Sequence, residues 1–199
     1  MKNVIKNTKK ALLIVTMFTT LISFANEPAN LTVTKTAKST ILTFESVKEG
    51  NILTITDKNG VVLYKEEITE TGNYQKAFDF SELPNGEYVF ELNKDVEVSS
   101  IPFKVNNEEV VFNNNLETVI YKPIVRTSKD LVFINKLSLD KSPLKIEVFS
   151  GSEGSFELIH KETIENTELI ERVFKLKSSS NVNYKFVFTT NGKTFTKTI

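Results

Sequence analysis

Acid–base chemistry near neutral pH draws on histidine or on carboxylates set close together. This chain has one histidine, His160, in 199 residues. It stands in a strand-like run (Leu158-Ile-His160), and 96 positions earlier the similar run Leu63-Tyr64 carries a tyrosine. The position therefore reads as one face of an amphipathic strand that accepts Tyr or His. Glycines and serines alternate at Gly151-Ser-Glu-Gly-Ser155, but the spacing is not the Gly-x-Ser-x-Gly of a nucleophile elbow. That segment reads as a turn. The pairs Glu66-Glu67 and Glu108-Glu109 are adjacent in strand-like sequence. Neighbours on a strand point to opposite faces, so neither pair makes an acid–base dyad.

Metal chemistry finds equally little. With one His and no Cys, disulfides are excluded by composition and a protein-only zinc site is not expected. Asp57-Lys-Asn-Gly60 resembles a piece of a calcium loop, yet Val61-Val-Leu-Tyr64 follows where a further acidic ligand belongs. A hairpin turn is the better reading, with Gly60 supplying a positive φ. No phosphate loop or dinucleotide fingerprint occurs. No catalytic, cofactor-binding or metal-binding residue is assigned, no cofactor is expected, and the chain is read as a non-enzyme. Sugar binding would call for exposed aromatic rings. There is no Trp, and Tyr64, Tyr74 and Tyr121 read as strand-face packing.

The elements around these residues are strands. Leu31–Thr34, Ile41–Phe44, Ile52–Ile55, Val61–Tyr64, Tyr88–Leu92 and Ile101–Val105 are short β-branched and aromatic runs with partial alternation. They recur about every ten residues with turn residues between them, as in a sandwich. From Leu63 onward the chain matches itself at a constant offset of 96 for 30 residues. Tyr88, Phe90 and Leu92 fall on Tyr184, Phe186 and Phe188. Upstream, Leu53-Thr-Ile55 is matched with Leu144-Lys-Ile146, and Phe44 and Val47 with Ile134 and Leu137. The fold expected is all-β: two tandem Ig-like or fibronectin-like β-sandwich domains, residues 26–113 and 116–199, divided near Asn113-Asn-Asn115. Tyr88, after the turn Leu83-Pro-Asn-Gly86, reads as a tyrosine corner, and Tyr184 as its counterpart.

Residues 1–25 have the pattern of a secretory signal peptide. Lys2, Lys6, Lys9 and Lys10 precede an apolar stretch from Ala11 to Phe24, and Ser23-Phe-Ala25 ends it with small residues. Removing it leaves 21 basic and 25 acidic side chains, a net charge of −4. A mildly acidic chain without a basic cluster argues against nucleic-acid binding. No membrane anchor is expected after cleavage.

Asp79-Phe-Ser-Glu-Leu-Pro-Asn-Gly-Glu-Tyr-Val-Phe90 resembles the penultimate turn and strand of the C-terminal sorting domains of the type IX secretion system. Asn191-Gly-Lys-Thr-Phe-Thr-Lys-Thr-Ile199 resembles the end of that family. The resemblance implies a seven-stranded sandwich, an exported protein of a diderm bacterium and contact with export machinery. It brings no catalytic residues. The leading expectation is a structural or protein-binding role in the periplasm or at the cell surface. The alternatives are a type IX sorting module at the C-terminus and a carbohydrate-binding module.

Overall fold

Alternating apolar residues can bury one side of an extended strand only against a second layer, and the described residues form four antiparallel sheets that do so. A computed structural model describes residues 31–35, 39–107, 109–152, 154–177 and 182–199. The expected signal peptide lies outside the described residues. So do Glu108 and Glu153.

The first strands are β1 (Leu31–Lys35), β2 (Thr40–Val47), β3 (Ile52–Asp57), β4 (Val62–Glu67), β5 (Gly72–Phe78), β6 (Gly86–Asn93), β7 (Glu97–Asn106), β8 (Glu109–Phe112) and β9 (Thr118–Tyr121). They form a three-stranded sheet β1-β2-β5 and a six-stranded sheet β4-β3-β6-β7-β8, with β9 also paired to β7. Then come β10 (Ile124–Ser128), β11 (Leu131–Leu137), β12 (Leu144–Ser152), β13 (Ser155–Ile164), β14 (Leu169–Lys175), β15 (Asn183–Thr190) and β16 (Lys193–Thr198). Their sheets run β10-β11-β14 and β13-β12-β15-β16. The two groups thus have the same strand order. The first group adds β8 and β9.

Each group encloses its own core. Phe44, Leu53, Phe78, Phe80, Phe90 and Phe103 dominate the first. Val132, Ile134, Ile146, Val148, Phe186 and Phe188 dominate the second. The first is a chain of touching rings, with Phe44 stacked on Phe90 at 5.3 Å and Phe103 on Phe112 at 5.0 Å. Such contacts add stability beyond the area they bury.

Strand pairing corrects the upstream part of the internal alignment. Leu53 lies opposite Leu92, and Ile146 lies opposite Phe188. Leu53 therefore corresponds to Ile146 and not to Leu144. In the same way Phe44 faces Tyr74 while Lys136 faces Ile170, so Phe44 corresponds to Lys136 and Leu42 to Ile134. The alignment read from apolar pattern is displaced from this register by two residues. A two-residue slip keeps every side chain on the same face, so apolar pattern alone could not detect it.

Both hairpins β3-β4 and β12-β13 carry a bulge at the same place. Leu63 is passed over between the pairs Ile55–Tyr64 and Thr56–Val62. Ile159 is passed over between Val148–His160 and Phe149–Leu158. A bulge twists and blunts an edge strand. The β12-β13 turn is tight: a Cβ on Gly151 would stand 1.9 Å from the Ser155 carbonyl oxygen.

The segment after Asn113 does not leave the first group. Asn113 N–H donates to the Pro102 carbonyl at 2.9 Å, a 3-10 turn spans Asn114–Leu116, and β9 pairs with Glu97–Ser100. Lys122 N–H still donates to the Val96 carbonyl at 2.8 Å. Only Pro123 separates that bond from the start of β10. Glu91 of β6 and Lys193 of β16 form an ion pair between the groups.

Candidate functional site

Tyr64 sits in a polar clasp, and His160 sits in another. In the first, Glu66 on β4 accepts from Tyr64, from Tyr74 Oη at 2.9 Å and from Lys76 Nζ at 3.0 Å. Tyr74 and Lys76 are on β5, so the carboxylate ties the edges of the two sheets together. Burial pulls the Glu66 carboxyl upward, but the three hydrogen bonds outweigh it and hold it below the usual carboxylate range. The hydrogen bond to Glu66 raises the Lys76 ammonium. Burial and the same carboxylate raise Tyr64 and Tyr74. Each shift carries its group further from neutral pH.

The second clasp has Glu162 on β13, with Arg172 Nε from β14 at 3.0 Å and His160 Nε2 at 3.5 Å. His160 packs edge-on against Phe174 at 5.3 Å, as Tyr64 packs against Phe78 at 5.3 Å. The histidine therefore stands where the first clasp has a tyrosine, with a carboxylate and a guanidinium already engaged around it. Its partners are arranged to join sheets.

The Asp57 carboxylate is consumed by its own turn. Its oxygens accept from Asn59 N–H at 2.9 Å, Val61 N–H at 2.8 Å and the Asn59 amide at 3.2 Å. The Val61 amide, the largest influence, holds it below the usual range. Gly60 has φ +82°, which closes the hairpin. Among the described residues, no group of three or more His, Asp or Glu side chains is placed to hold a metal. Tyr121 ends β9 opposite Glu97. On the second group, Lys185 Nζ lies 5.0 Å from the Phe149 ring centre and 4.7 Å from that of Phe156. These two rings, which no sequence motif marks, already carry a cation.

The segment Asp79–Phe90 forms a stapled corner. Asp79 Oδ1 accepts from the Ser81 N–H at 3.0 Å and hydroxyl at 2.6 Å. Phe80 is buried in the core, and Leu83 packs against it. Asn85 Oδ1 accepts from Asn107 N–H at 2.8 Å. Tyr88, buried, donates to the Pro84 carbonyl at 2.7 Å. That last bond is the expected tyrosine corner. Its counterpart is looser: Tyr184 donates to the Lys177 carbonyl at 3.2 Å. Beside this corner two grooves open on the six-stranded sheet. One of about 680 Å³ includes Val89, Pro102, Val111 and Leu116. Another of about 550 Å³ lies between the Asp57 turn and Asn85–Gly86.

Residues 28–106 match the family model of a secretion system C-terminal sorting domain. The matched stretch contains the stapled corner, the first clasp and most of the first core. It does not include Asn191–Ile199. The sorting-domain likeness thus falls on the first group of strands, although the family is defined by C-terminal domains. A match of this kind implies an exported protein that meets export machinery. The solved structure of a biofilm associated protein, its BSP domain, aligns with 85% of this chain and 29% of its own chain, at 11% identity and TM-score 0.27. This chain therefore spans less than a third of that structure. No curated protein matches the chain.

Proposed function

We propose that this is an exported, non-catalytic β-sandwich protein whose first group of strands works as a type IX sorting-type module, recognised by the export machinery of a diderm bacterium. The family match over residues 28–106 carries this reading. The side chains with acid–base potential support the non-catalytic part, because Glu66, His160 and Asp57 are engaged in clasps and a turn. The two groups are copies of one unit, separated at Pro123, and residues 1–25 direct the chain to the export pathway. A second reading is a resident structural or protein-binding module of the periplasm or cell surface. It is favoured by the position of the match, which leaves the last strands unassigned.

Fractionation of native cells with intact-mass analysis separates the two. Sorting predicts a surface or medium species, and its accumulation in the periplasm when the outer-membrane sorting machinery is disabled. A periplasmic species running from about Asn26 to Ile199 in cells with intact machinery would sink the sorting reading and leave the resident module.

A further inference from the structure

The same mouth of the sandwich is closed in one group and open in the other. In the first, the space between β1 and β7 has shrunk to about 10 Å³, lined by Leu31, Leu92, Ser99, Ile101 and Glu117. Strand pairing gives the matching positions in the second. Tyr88 faces Phe103, and Tyr184 exchanges both backbone hydrogen bonds with Ile199 at 3.0 and 2.9 Å. Ile199 thus corresponds to Phe103, Lys197 to Ile101 and Phe195 to Ser99. There a groove of about 550 Å³ runs between β10 and β16, past Val125, Phe195 and Lys197, and Asp95, Val96 and Lys122 of the first group also line it.

The difference follows from the strand added outside. β9 pairs antiparallel with β7, setting Thr118 opposite Ser100 and Val119 opposite Ser99. One step further along that register, Glu117 meets Ile101, and both line the closed crevice. Among the described residues no strand pairs with the outer edge of β16. Because Ile199 bonds inward to β15, alternation turns the backbone N–H and C=O of Thr194, Thr196 and Thr198 outward. Pro102, at the position of Thr198, already has its carbonyl turned outward to Asn113 in the first group.

We propose that the outer edge of β16 and its groove receive an extended peptide strand from a partner protein, added antiparallel as β9 adds to β7. The register states the chemistry. An aliphatic side chain at the Val119 position, which pairs with Ser99 in the first group, lies opposite Phe195 on the rim of the groove. A carboxylate two residues before it, at the Glu117 position, lies opposite Lys197, where the first group has Ile101. Charge also argues against a second copy pairing β16 to β16 about Phe195, since Lys193 would stand opposite Lys197. The receiving strand β16 lies outside residues 28–106, and only Asp95 and Val96 of the groove fall within them, so the proposal does not rest on the sorting reading.

The test is an NMR titration of the chain from Asn26 to Ile199 with the synthetic peptide Asn-Leu-Glu-Thr-Val-Ile-Tyr, the sequence of residues 115–121. Saturable shifts are expected at the Thr194, Thr196 and Thr198 amides. Lys197→Glu should weaken binding about fivefold, and a peptide with Lys in place of its Glu should recover it. Thr196→Pro removes one outward donor and should abolish binding, while the β15 pairing is kept. Lys197 is exposed, so its variant folds and decides the matter if the proline variant does not. The proposal is overturned by absence of saturable shifts on β16, or by binding that is indifferent to Lys197→Glu.

Discussion

The two groups of strands share an order and differ in what fills equivalent places. Phe44, 1% exposed, lies at the centre of the first core; the corresponding Lys136 is 3% exposed in the second. Around Phe44 are Tyr74 and Phe90 rings. Around Lys136 the ammonium finds the Leu137 carbonyl at 3.2 Å, and burial pushes its pKa down, with Asp140 only partly opposing. The first clasp has three donors on its carboxylate; the second has a guanidinium and a histidine. The lesson is that one topology tolerates a charged residue at a core position provided the end of the sandwich leaves its nitrogen a carbonyl.

Exchanging the character of that position should give the largest effects. Phe44→Lys should destabilise the first group by at least about 4 kcal/mol, since it loses ring packing and buries a charge. Lys136→Met should stabilise the second by about 1–2 kcal/mol. Denaturant unfolding of each variant measures both. The pH dependence sharpens the comparison. The folded pKa of Lys136 is lowered, so the unfolded state binds more protons and native stability rises as pH climbs toward the ordinary lysine value. That rise should be missing in Lys136→Met. If wild type and Lys136→Met show the same alkaline slope, the ammonium is not desolvated.

The clasps come next. Glu66→Gln should cost about 1–2 kcal/mol and Glu162→Gln about half as much, because fewer donors are left without their acceptor. The folded pKa of Glu66 is lowered, so its contribution is full above the unfolded carboxylate value and is lost as pH falls through the folded one. Thermal unfolding from pH 7 to pH 3 should therefore narrow the gap between wild type and Glu66→Gln. A gap that stays constant would break the assignment.

The corner tyrosines should differ in the same direction. Tyr88→Phe should cost about 1 kcal/mol, its hydroxyl being buried against the Pro84 carbonyl, and Tyr184→Phe less than half of that. Smallest is the ion pair between the groups. Lys193→Ala should change stability by only about 0.5 kcal/mol. Small-angle scattering reads its other consequence: the groups are also held by β9 and Lys122, so the scattering profile should be unchanged. A broadened profile would show that Lys193 and Glu91 maintain the arrangement.

Much of the architecture was legible in the residues. Short β-branched and aromatic runs specified strands, Asp57–Gly60 and Leu83–Gly86 specified turns, and Tyr88 specified a corner bond. Each of these is a local matter of backbone preference or of a side chain reaching a few residues along the chain. Local pattern also placed the sorting-domain likeness correctly at Asp79–Phe90, inside the matched stretch.

Tertiary structure decided the rest. Which residues of β2 and β3 correspond to those of β11 and β12 depends on cross-strand register, and a two-residue slip is invisible to an alternation of period two. The clasps depend on β4 facing β5 across two sheets, a contact between edges that no strand pattern encodes. β9 looked like the start of the second half because Asn113-Asn-Asn115 reads as a break; long-range pairing with β7 returned it to the first. The sequence by itself determined an all-β chain of recurring strands, because strand faces and turns are written in side-chain order. Only the stacked sheets decided which edges are closed and which groove stays open, because those depend on partners brought together from distant parts of the chain.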